Sequence, residues 1–158
     1  MSDNAVRDLL SRALAWQDAH ATFDDAVSGI PSELRGRRAE NLPYSAWQLL
    51  EHLRITQRDI LDFCVNSKYQ EMNWPDDYWP ASAAPPADDA WDASVRACKA
   101  DRQALQTLAG DTSLDLDATI PHGSGQTYAR ELVLAIDHSA YHVGQLVLLR
   151  RLLGSWRA

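Results

Sequence analysis

Apolar residues recur at three- and four-residue spacing through LVLAIDHSAYHVGQLVLLRRLL, residues 132–153. A stripe of that period and length is the pattern of an amphipathic α-helix. At 100° per residue, Ala135, His138, His142, Leu146, Leu149 and Leu153 share one face. Three more segments show the same period. The first runs from Asp3 to Val27, with Val6, Leu9, Leu10, Ala13, Trp16 and Phe23 among its apolar positions, and SGIP (28–31) ends it. The second runs from Ala46 to Asn66. Ser45 with Gln48 forms a capping-box pattern at its start, and Gln57 interrupts its apolar stripe. The third runs from Asp89 to Ala109, with Trp91, Val95, Cys98, Leu105 and Leu108 inward. The fourth runs from Tyr128 to Leu153, with Thr127 as N-cap and Gly154 just beyond its end.

Four helices of that size are ~30–38 Å long at 1.5 Å per residue. The expected fold is all-α, a four-helix bundle with long inter-helix loops, occupying residues 1–158 as one domain. Residues 28–44, 67–88 and 110–126 are longer than helix connections usually are. NWPDDYWP (73–80) reads as packed down, and SLDLDATI (113–120) as a short extended segment.

Charge and composition narrow the function. Net charge is −7, which argues against a nucleic-acid partner, since phosphate binding needs a basic surface. Arg35, Arg37 and Arg38 read as a solvated loop, and Arg150 with Arg151 as complements to the negative end of their own helix. No window approaches ~18 uncharged apolar residues, so no membrane partner is expected. The N-terminus carries charges where a signal peptide needs an apolar core. Cys64 and Cys98 lack CxxC spacing. Reduced thiols and a cytoplasmic location are the expectation.

Five histidines remain: His20, His52, His122, His138 and His142. His138 and His142 lie one turn apart on an oily face, where their ring nitrogens can converge on one ion. The competing reading is a pair of core histidines bonded to neighbours. A third ligand has to come from another helix, and His52, on the shoulder of the second stripe, is the candidate. Beside Glu51 it also reads as a surface residue. His122, in IPHGSGQT, is a substrate contact, an extra ligand or only a turn residue. Gln145, one turn past His142, is either a ligand contact or polar packing. Tyr141 reads as packing on another helix, Gly144 as allowing close helix approach, and His20 as surface.

SAWQLLEHLRITQRDILDF (45–63), followed by RELVLAIDHSAYHVGQLVLLRR (130–151), resembles the DinB-like superfamily, also called DinB/YfiT-like. The resemblance runs over nearly the whole chain in length and helix order, and DHSAYHVGQ is its most specific part. It implies a four-helix bundle in which His52, His138 and His142 bind a divalent metal. It further implies a homodimer and, in some relatives, a transferase or isomerase that uses a low-molecular-weight thiol.

Three neutral imidazoles leave a divalent ion with its full charge and an open position, the catalytic type of site. Such an ion lowers the pKa of bound water or thiol, or polarises a carbonyl. Zn²⁺ is the best match, and Ni²⁺ and Fe²⁺ also accept imidazole. The expected function is a metal-dependent thiol S-transferase acting on a small electrophile. The alternative is a non-catalytic helical bundle that binds metal or ligand and acts as a dimer. No side chain stands out as general acid or base. No Ser-His-Asp set, phosphate loop or dinucleotide fingerprint is evident.

Overall fold

The computed structural model describes residues 3–15, 17 and 19–156. Six α-helices are present in that range: α1 (Asp3–Ala13), α2 (Phe23–Val27), α3 (Ser32–Arg35), α4 (Ala46–Val65), α5 (Ala90–Gly110) and α6 (Tyr128–Leu152), with a short 3₁₀ turn at Asp76–Tyr78. Among the described residues there is no β-strand, only an isolated antiparallel bridge between Thr119 and Thr127. That bridge lies at one end of the segment expected to be extended.

The three long helices begin and end within a residue of the positions that sequence signals mark. Ser45 accepts from the Gln48 backbone N–H, and the Gln48 side chain accepts from the Ser45 N–H, completing the capping box. Thr127 accepts from the Arg130 N–H at 3.2 Å. Gly154 takes φ +71 just past α6, a left-handed value that glycine adopts freely.

The expected single helix over 3–27 is corrected: it is two. α1 stops at Ala13, and a new capping box starts α2. Thr22 is extended (φ −73, ψ 165), its Oγ1 accepts from the Asp25 N–H at 3.0 Å, and the Asp25 carboxylate accepts from the Thr22 N–H at 3.0 Å. An extended Thr22 cannot continue a helix from upstream. Trp16 lies outside the described residues.

α4 packs on both α5 and α6, and α1 packs mainly on α5. Two apolar clusters result. One gathers Ala26, Val27, Ile30, Trp47, Leu50, Leu53, Trp91, Leu146 and Leu149 around the start of α4 and the end of α6. The other gathers Leu10, Leu14, Ile60, Leu61, Leu105, Leu116, Leu132 and Ala135 around the opposite ends of the same two helices. Between them α4 contributes His52, Thr56 and Gln57, and α6 contributes His138 and His142. Gln57, the break in the stripe, is buried and donates its amide to the Cys98 carbonyl of α5 at 2.6 Å.

Several sequence expectations change. Arg150 is buried and does not serve its own helix alone. It donates to the Asp25 and Ala26 carbonyls at 2.6 and 3.0 Å, closing the end of α2, and to the Ser155 carbonyl at 2.9 Å. Arg35 is half-buried with its guanidinium over the Trp91 ring. Of NWPDDYWP only the second half is packed: Trp74 is 70% exposed, whereas Tyr78 and Trp79 are half-buried. α6 is long and apolar enough to cross a membrane by length and composition, a property that the core helix of a globular fold shares. Its inward face is spent on α4.

Candidate metal centre

Period 3.6 puts His138 and His142 on one edge of α6, and α4 runs past them carrying His52. His52 is 2% exposed and His142 5%; His138 is half-buried. Their rings meet edge to face, with centroids 4.4–4.9 Å apart. One nitrogen from each lies within 4.8 Å of the others.

The outer nitrogens are all engaged. His52 Nδ1 is 2.9 Å from the Tyr78 carbonyl. A carbonyl only accepts, so Nδ1 carries the proton. His142 Nδ1 is 2.7 Å from Gln145 Oε1 and is protonated for the same reason. His138 Nδ1 is 3.3 Å from Thr56 Oγ1. Where the Thr56 hydroxyl donates to the His52 carbonyl, 2.7 Å away, its oxygen is left to accept from His138. In that arrangement the proton of each neutral ring sits on Nδ1, and the lone pair is left on Nε2.

The three lone pairs then face a common point. His52 Nε2 and His138 Nε2 are 3.1 Å apart, close enough to share one proton or one ion. Burial works against a proton filling the gap. Desolvation lowers all three pKa values, His138 to about 3 and His142 to about 4, with His52 moving in the same direction. For His138 and His142 the like charges that neighbouring imidazoles would carry are part of that depression, second to burial. A cation resolves the arrangement, and three neutral imidazole nitrogens are a donor set that Zn²⁺, Ni²⁺ and Fe²⁺ accept. The residues fit a divalent metal.

Aromatic rings close one side. Trp79 lies flat on His52 at 3.8 Å and 2°, and Tyr44 lies on the far face of Trp79 at 4.0 Å and 11°. Tyr141 meets His142 edge-on at 4.9 Å. Its expected packing on another helix is corrected, because it is 63% exposed. Gly144 is exposed too, and a Cβ there would meet nothing within 4 Å, so among the described residues no other helix approaches closely at that point.

The family model of the DinB superfamily matches residues 15–146. The chain belongs to the DinB superfamily. No curated protein and no solved structure matches it significantly. The match covers α2 through most of α6, so all three histidines of this DinB-superfamily chain lie inside it.

The other expected site residues fall as follows. Gln145 touches His142, which makes it an orienting partner. His122 stands outside the three-imidazole group. Its Nε2 donates to the Phe63 carbonyl at 2.9 Å, and it lines a cleft of about 560 Å³ with Tyr69, Tyr78 and Arg130. His20 is exposed, as expected. Thr56, Tyr78 and Trp79 were not signalled as site residues. Thr56 had a readable cue, one turn after His52 on the same face. Tyr78 acts through a backbone carbonyl, which any residue would supply.

Proposed function

We propose that this DinB-superfamily chain is a metal-dependent enzyme of the thiol S-transferase type, acting on a small electrophile. The observation that carries the reading is the convergence of three imidazoles, one nitrogen of each within 4.8 Å of the others, with Nδ1 of each beside an oxygen partner. His52, His138 and His142 would hold the ion, with Zn²⁺ as the best match and Ni²⁺ and Fe²⁺ as alternatives. When bound, a divalent ion on neutral ligands keeps its full charge and favours deprotonation of a thiol or water.

The chain's own residues supply the rest. Tyr78, Thr56 and Gln145 hold the rings in one tautomer, as outer partners of metal-bound histidines do. The Tyr44–Trp79 stack keeps water from one face of His52. Burial pushes Cys64 and Cys98 up to about 12, so neither is a nucleophile near neutral pH. The reacting thiol therefore has to arrive as a small co-substrate. The frame is read as a four-helix bundle whose short member is α1.

The test is elemental analysis of tag-free protein beside the triple variant His52→Ala, His138→Ala, His142→Ala. Near one metal per parent chain and none in the variant is expected. Small thiols offered together with electrophiles should then be consumed by the loaded parent alone. A parent that takes up no Zn²⁺, Ni²⁺ or Fe²⁺ sinks the reading.

One observation favours a second reading, a dimeric binding protein without catalysis. Val133, Tyr141, Leu148 and Leu152 leave an exposed apolar stripe along α6. Metal uptake without thiol consumption in any pairing would point that way.

A further inference from the structure

The three histidines differ in what holds them. Thr56 and Gln145, which fix His138 and His142, sit on α4 and α6, inside the helical frame. The partner of His52 does not. It is the carbonyl of Tyr78, from the long connection between α4 and α5, and a loop carbonyl is only as fixed as its loop.

That loop is anchored to α4 through Asp59. Asp59 is half-buried on α4, seven residues after His52, or ~10 Å along the helix axis. Its Oδ2 accepts the Tyr78 hydroxyl at 2.8 Å, and its Oδ1 accepts the Tyr69 hydroxyl at 2.9 Å. Burial, with the hydrogen bond to Asp59, holds both phenols well above their ordinary pKa, so both are donors at neutral pH. Tyr78 thus grips α4 twice: its side chain at Asp59 and its carbonyl at His52. The next residue, Trp79, covers the His52 ring.

We infer that Asp59 is a positioning residue for His52: by holding Tyr78 it keeps the Tyr78 carbonyl on His52 Nδ1–H and leaves His52 Nε2 free as a ligand. The inference rests on the metal-centre reading for its consequence, but the tautomer of His52 can be observed without any metal.

The experiment is ¹H–¹⁵N imidazole NMR of the metal-free protein, with His52 assigned by His52→Gln, followed by Zn²⁺ competition against a chromophoric chelator. The variants are Tyr78→Phe, Asp59→Ala and Tyr69→Phe. The parent should show His52 as the Nδ1–H tautomer. Tyr78→Phe and Asp59→Ala should each give a tautomer mixture and a ~10–100-fold loss of Zn²⁺ affinity, as for other outer partners of metal-bound histidines. Tyr69→Phe, which leaves the Asp59–Tyr78 bond intact, should keep both properties of the parent. A His52 that is Nε2–H in the parent, or that is unmoved by both Tyr78→Phe and Asp59→Ala, overturns the role of Asp59. Should Asp59→Ala fail to fold, Tyr78→Phe alone decides, since it removes one hydroxyl and keeps the carbonyl. A parent that ignores Zn²⁺ sinks the metal centre instead, while the tautomer still decides the clamp.

Discussion

A histidine ligand is defined as much by the atom behind it as by the atom in front. Gln145 illustrates this. Its Oε1 holds the His142 proton on Nδ1, so Gln145→Leu should leave helix α6 formed and lower Zn²⁺ affinity ~10–100-fold. Chelator competition reads the loss. Affinity unchanged within twofold would show that His142 needs no such partner. The buried imidazoles also set a pH dependence. Unfolded, each protonates near pH ~6.5. Folded, His138 waits until about 3, His142 until about 4, and His52 also resists. Between those limits the unfolded chain binds more protons, so stability rises with pH and is lost as pH falls below ~6.5. The urea midpoint of metal-free protein should therefore drop between pH 7 and pH 5. The triple histidine-to-alanine variant should lose most of that slope. A parent midpoint equal at the two values would contradict the burial argument.

At the scale of elements, the long helices were readable because their signals are local. Capping residues, a period of 3.6 and terminal glycine all act within a few residues of the chain. The box at Ser45 does more than start α4: its Oγ also donates to the Ala83 carbonyl, tying the helix to the connection that carries Trp79. Ser45→Ala should cost about 1 kcal/mol or somewhat more, as loss of a cap does. Denaturant unfolding measures it, and a cost near zero would mean that water replaces both contacts. The division between α1 and α2 was also written locally, in Thr22 and Asp25, but apolar residues on either side masked it. The metal-site histidines were legible through HxxxH on an oily face. Their partners were legible only where a side chain does the work and a helical period links it to the ligand. Tyr78 reaches His52 across 26 residues through its backbone, and no local pattern encodes that. Tyr141 failed for a different reason. The period placed it correctly off the ligand face, but whether any helix covers that face depends on the number of neighbours around α6.

For the whole molecule, that uncovered face has a consequence for assembly. Val133, Tyr141, Leu148 and Leu152 lie along one side of α6, with Asp137 and Arg151 also exposed on that helix. Two copies crossing antiparallel there would set Asp137 of each near Arg151 of the other. The protein should sediment as a dimer, and Leu148→Asp should shift it to monomer without loss of helix content. A parent that stays monomeric at high concentration would remove the basis for this pairing.

The polar side chains between the two apolar clusters, His52, Thr56 and Gln57 of α4 with His138 and His142 of α6, have a different kind of consequence. They separate two clusters that α4 and α6 join, and they put the three imidazoles at the seam. Cooperativity in a small domain depends on each part of the core losing its neighbours when another part opens. In the metal-free protein the end holding Leu105 and Leu132 is then expected to open while the end holding Leu50 and Leu146 stays closed. A cation bound to all three rings ties both ends to one event. Amide exchange should then show two opening free energies in the metal-free protein and a single one when the seam is filled, so that occupancy decides whether the molecule comes apart in halves or all at once.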